Sequence, residues 1–101
     1  MVQLFSVTSD VHELEVRRIY DNGKYLSFYR AYISTENVKL SEEIMEASLV
    51  MAAKHAEETL KMDSFQLKAF IVVLTEYQLE RFERQSRKDG QKGFTIKPFT
   101  V

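Results

Sequence analysis

Apolar residues in the first third of the chain recur at intervals that read as strand rather than helix. Val2, Leu4, Phe5 and Val7 alternate weakly over 2–8, enough for a short strand. Two runs rich in β-branched and aromatic residues follow, 11–20 and 24–34, and they flank Asp21-Asn22-Gly23. Asn-Gly between such runs signals a hairpin, because a type I′ turn needs positive φ at both central residues. With Asn22 and Gly23 as the loop, Asp21 pairs with Lys24, Tyr20 with Tyr25, Ile19 with Leu26 and Glu15 with Arg30. Opposite charges at Asp21–Lys24 and Glu15–Arg30 favour this register over a one-residue slip. One face then carries His12, Leu14, Val16, Tyr20, Tyr25, Tyr29, Ala31 and Ile33 and becomes the core side. The other mixes Glu13, Glu15, Arg17 and Arg30 with Val11, Ile19, Leu26, Phe28 and Tyr32, and a face so apolar needs a cover.

The pattern changes after residue 40. Over 41–62, Met45, Leu49, Ala52, Ala53, Ala56 and Leu60 fall on one stripe, with Glu46, Lys54, Glu57 and Lys61 opposite, as in an amphipathic helix. Ser41 is placed to cap it, Glu42 and Glu43 suit its positive end, and Leu40 can staple against Met45. The alanines leave room for a neighbour to approach closely. Over 64–88 two patterns compete. Phe70-Ile71-Val72-Val73 has the β-branched content of a buried strand, with a helix opening at 75–78. Leu67, Phe70, Ile71, Leu74 and Tyr77 keep helical spacing, and Asp63 with Gln66 makes a capping box, so one long helix is the preferred reading. Asp89-Gly90 and Lys92-Gly93 stop it. Residues 94–101 read as extended, with Pro98 confining them to an edge strand or a free tail. The expected fold is therefore α+β: an N-terminal antiparallel β-hairpin or three-stranded meander packed on two helices, with an extended C-terminal segment, in one domain over 1–101.

Composition changes this picture little. The 101 residues are 45% hydrophobic and 29% charged, ordinary for one globular domain. No cysteine is present, which removes disulfides and thiolate zinc sites. Met1 to Phe5 has no basic n-region, and the longest apolar run, 69–74, falls far short of the about 20 residues a bilayer span takes. A cytoplasmic protein without membrane contact is the expectation. The net charge of −1 points to no polyanion or membrane. Its distribution is uneven: seven acids face three bases over 36–63, and six bases face two acids over 81–97.

Chemistry-bearing constellations are sparse. The two histidines, His12 and His55, leave only His55 with Glu58, three apart on a helix, as a metal pair, and two ligands at that spacing are usually a solvated surface. The three glycines cannot form a phosphate loop, and no Gly-flanked nucleophile turn occurs. Residues 92–99, Lys-Gly-Phe-Thr-Ile-Lys-Pro-Phe, partly match the aromatic strand motif of RNA-recognition domains. Pro98, the internal residues and the order of elements all depart from it. No cofactor, metal or catalytic residue is assigned. The expected function is a non-enzymatic accessory, regulatory or inhibitory protein that binds another protein, itself, or both. Its contact residues would be Arg17, Ile19, Leu26, Phe28, Arg30 and Tyr32, since aromatics with arginine mark interface cores. One alternative is nucleic-acid binding through Arg81, Arg84, Arg87, Lys88 and Lys92. Another is a small oligomeric enzyme with a site built across subunits.

Overall fold

The described residues fold as helices. The computed structural model describes the backbone of residues 2–88 and the side chains of residues 12–85. Helix α1 spans Val2–Thr35, α2 Val38–Lys54, α3 Ala56–Thr59 and α4 Ser64–Lys88, with no strand among the described residues. The expected α+β fold, with its hairpin or meander, is corrected to an all-α bundle. The expected extended segment over 94–101 lies outside the described residues.

The reason is visible in what α1 buries. Glu15, Ile19, Gly23, Ser27, Arg30, Ala31 and Ser34 are buried among its described side chains, at intervals of three and four. That is helical periodicity carried by small and polar side chains, while most of the large apolar ones face outward. A search for hydrophobic period therefore finds the wrong face. Gly23 lies inside this helix. A Cβ there would overlap Ile71 Cδ1 and come within 3.1 Å of Leu49 Cδ2. The glycine serves a close approach of α2 and α4 to α1 instead of a turn. Asn22 stays helical as well, its Nδ2 donating to the Arg18 carbonyl at 2.9 Å.

The turn between α1 and α2 sits where the sequence carries no glycine. Glu36 adopts φ 54°, the left-handed conformation that commonly ends helices, and its N–H donates to the Tyr32 carbonyl at 2.8 Å. Asn37 then caps α2, its Oδ1 accepting from Leu40 N at 2.9 Å. The cap expected at Ser41 thus falls one turn earlier, at Asn37: Ser41 lies inside α2, donating its Oγ hydrogen to the Asn37 carbonyl at 2.6 Å. The single helix expected over 41–62 is broken at His55, after which α3 adds one turn. Helix α4 begins as its capping box predicts. Gln66 N donates to Asp63 Oδ1 at 2.7 Å, and Asp63 N donates to Gln66 Oε1 at 3.0 Å. The strand reading of Phe70-Ile71-Val72-Val73 gives way to the helical one.

Partner levels fix the topology. Gly23 meets Leu49, and Ala31 packs with Ile44, so α1 and α2 are antiparallel. Gly23 meets Ile71, Ser27 meets Thr75 and Arg30 meets Glu76, so α1 and α4 run parallel. The result is an up-down-up bundle of three long helices. One apolar cluster joins Ile19, Leu49, Ala52, Leu67, Ile71 and Leu74, and a second joins Ala31, Ile44 and Leu79.

Polar side chains fill much of the remaining interior. Ser27 Oγ and Thr75 Oγ1 lie 2.6 Å apart across α1 and α4. Arg30 forms a two-point ion pair with Glu76, its Nη2 donating to Oε1 at 2.8 Å and its Nε to Oε2, and a further N–H reaches Ser34 Oγ. Among the described residues no buried side-chain nitrogen or oxygen lacks a hydrogen-bond partner. Satisfied groups of this kind contribute little each, but any one left unpaired would cost about 1–3 kcal/mol.

Candidate interaction surface

None of the nine aromatic side chains in the described region is buried. A core built from seven leucines and isoleucines, three alanines and paired polar groups leaves five rings exposed, while Tyr20, Phe70 and Phe82 are half-buried against it. On α1, Tyr25 is 76%, Leu14 67% and Tyr29 65% exposed; on α4, Phe65 is 70% exposed. Scattered exposed apolar residues need no explanation, but contiguous ones mark contact surfaces.

Two grooves take in Phe65 and Tyr25. Between α1 and α4, an open groove of ≈ 540 Å³ is lined by Leu26, Ser64, Phe65, Lys68, Ala69 and Val72. Its apolar residues on α4 recur at 65, 69 and 72, a second stripe beside the core stripe of Leu67, Ile71 and Leu74. Ala69 keeps the groove shallow enough for a neighbouring backbone to come close, and Lys68 is the charged side chain in its lining. Between α1 and α2, Lys24, Tyr25, Phe28, Glu42 and Met45 line a smaller groove. There the Lys24 Nζ stands 5.0 Å from the Tyr25 ring centroid. Phe28 and Tyr32 stack one turn apart, centroids 6.1 Å and planes 7° from parallel.

The six residues expected to form one contact face are dispersed by the helix. Ile19 is fully buried in the core, and Arg30 is buried against Glu76. Leu26 lines the α1/α4 groove, Phe28 the α1/α2 groove, and Arg17 and Tyr32 are exposed. Alternation at period two, projected on a period of 3.6, scatters a strand face around the cylinder. Phe65, Ala69 and Val72 went unnoticed, although their spacing of four and three was available once 64–88 was read as helix. Tyr25 and Tyr29 were assigned to the core and lie outside it.

The other candidates are placed as follows. Arg81 lies over the Tyr77 ring at 5.9 Å, and Arg84 donates to Glu80 at 2.7 Å, so two members of the basic row already engage their own helix. The side chains of Arg87 and Lys88, and all of Lys92, lie outside the described residues. His55 Nδ1 is 3.7 Å from Glu58 Oε1, both exposed, and its ring meets Phe70 edge-on. No three His, Cys, Asp or Glu side chains converge among the described residues. No described helix is long and apolar enough to cross a membrane.

One carboxylate has a shifted titration. Burial pushes the Glu15 carboxyl up, but hydrogen bonds from Arg18 and Thr59 together with the Arg18 charge outweigh it and hold the group below the usual range. Arg18 also donates to the carbonyls of Thr59 at 2.6 Å and Met62 at 3.1 Å, closing the end of α3 and the turn after it. This cluster is fully satisfied and faces the bundle, so it reads as a structural tie. No protein-family model, curated protein or solved structure matches the chain.

Proposed function

We propose that this is a small interaction protein that works by holding an amphipathic helix of another protein in the groove between α1 and α4. The observation that carries the reading is the groove itself: apolar along Leu26, Phe65, Ala69 and Val72, and bounded by two parallel helices. In an up-down-up-down bundle the fourth helix lies between the first and third, antiparallel to both. The α1/α4 groove is that vacant position. A partner helix laid there buries its apolar face on Leu26 and Val72, with Ala69 allowing close approach and Phe65 as the aromatic anchor at one end. Lys68 in the lining favours a partner with a carboxylate beside its apolar stripe. A cytoplasmic setting belongs to the same proposal.

The test is affinity capture with wild type and with Ala69→Glu as paired baits after nuclease treatment, then reconstitution with the purified partner. Wild type is expected to retain a protein that the variant loses, with amide shifts in the reconstituted complex confined to 64–72 and the facing turns of α1. A protein held equally by both baits removes the groove. Recovery of nucleic acid alone, from samples without nuclease, favours the basic row at the end of α4.

A further inference from the structure

The outer face of α1 carries a second pattern, separate from the groove. Its first half is charged and alternates in sign, with Glu13, Arg17, Asp21 and Lys24; its second half is aromatic, with Tyr25, Phe28, Tyr29 and Tyr32. Arg17, Asp21, Tyr25 and Tyr32 are exposed, Lys24 and Phe28 partly so, and Asp21 has no ion-pair partner among the described residues. Intervals of three and four along 17, 21, 24, 28 and 32 keep these residues on one side of the helix.

We propose that this face pairs with the same face of a second copy, the two α1 helices antiparallel about a two-fold axis at the level of Gly23. That axis sets Asp21 of each copy against Lys24 and the Tyr25 hydroxyl of the other. It also brings Arg17 over Phe28 and Tyr29 of the other copy, a cation–aromatic arrangement. Leu14 meets Tyr32. The contact is isologous, as a two-fold dimer requires, and each half of the face finds its complement in the other half. Parallel pairing instead sets Arg17, Asp21 and Lys24 each against its own copy, a ladder of like charges. The antiparallel choice thus follows from the charge sequence of the face.

Charge exchange tests it on the full chain. Sedimentation equilibrium across a range of concentrations is expected to show a monomer–dimer equilibrium for wild type, weakened by added salt. Asp21→Lys makes the facing pair wholly basic, and Lys24→Asp makes it wholly acidic. Each variant alone is expected to dissociate the dimer by at least about tenfold, equivalent to ~1.4 kcal/mol. Mixed together, the two should associate as a heterodimer, because every crossed 21–24 contact is then between opposite charges. The double variant D21K/K24D should likewise regain self-association. Both positions face outward, and circular dichroism verifies that each variant stays helical. A wild type that remains monomeric throughout overturns the proposal, as do single variants that dimerise normally or a mixture that fails to pair. Neither substitution touches the lining of the α1/α4 groove, so partner capture there can survive while the dimer fails, and the reverse.

Discussion

At the scale of single residues, Gly23 carries the most information. Its neighbours Ile71 and Leu49 are fully buried, so a methyl group added at 23 enters filled space. Alanine in a helix interior gains about 0.8–1 kcal/mol of propensity over glycine. Overpacking a filled core costs about 1–3 kcal/mol, which exceeds that gain. Gly23→Ala should therefore destabilise the protein despite improving the helix, read as a lowered urea midpoint with unchanged slope. Ile71→Val removes the Cδ1 atom that the new methyl meets. In the Gly23→Ala background that change should cost less than it does in wild type, and a coupling of zero would mean the clash is absorbed elsewhere. The same residue explains the misread sequence. Asn-Gly has one local meaning in a hairpin and another where two helices must come close, and nothing local separates them.

At the scale of elements, legibility follows how local each signal is. The start of α4 could be read because Asp63 and Gln66 satisfy each other's backbone within one turn. The end of α1 could not, because Glu36 occupies the left-handed position where glycine is the usual mark. The Leu49 and Ala52 stripe of α2 and the Leu67, Ile71 and Leu74 stripe of α4 are visible, being apolar at helical spacing. The buried stripe of α1 is Glu15, Gly23, Ser27 and Ser34 around Ile19 and Ala31, so its period is invisible to hydrophobicity. The groove is hidden with it, since hydrophobic alternation makes its α1 wall read as a strand.

The tie between α1 and α3 also belongs to this scale, and it makes a pH prediction. The folded-state pKa of Glu15 lies below the unfolded value of about 4.3, so its contribution is present above that value. It fades as pH falls through the folded value. The stability difference between wild type and Glu15→Gln should therefore stay level above about pH 5 and shrink as pH falls below it in urea titrations, while α2 and α4 stay paired. A difference that is flat over this range would show that the ionised carboxylate is not what holds α3.

At the scale of the whole molecule, the Arg30–Glu76 pair ties α1 to α4 one turn beyond Val72, at the end of the groove. The two partners are unequally placed: Arg30 is buried, whereas the Glu76 side chain is 44% exposed. Removing the carboxylate leaves a guanidinium inside the bundle with Ser34 as a remaining partner. Removing the arginine leaves a carboxylate that water can reach. Breaking a buried pair costs about 3–5 kcal/mol when the orphaned charge stays buried, and the partial exposure of Glu76 lowers that here to roughly 2–3 kcal/mol. Glu76→Ala should therefore be the more damaging single change and Arg30→Met the milder one, an order opposite to side-chain size. An apolar double variant, R30M/E76L, should recover most of the loss, because neither charge is then desolvated. Chemical denaturation of the four proteins gives the coupling directly. If Arg30→Met is the worse single variant, the packing of its aliphatic stem outweighs the charge, and the spacing of α1 and α4 rests on contact instead of the ion pair. If the order holds, the groove owes its width to a charged strut. The double variant should then weaken binding of a partner helix while leaving the bundle folded, because apolar side chains at 30 and 76 would let the two walls close together.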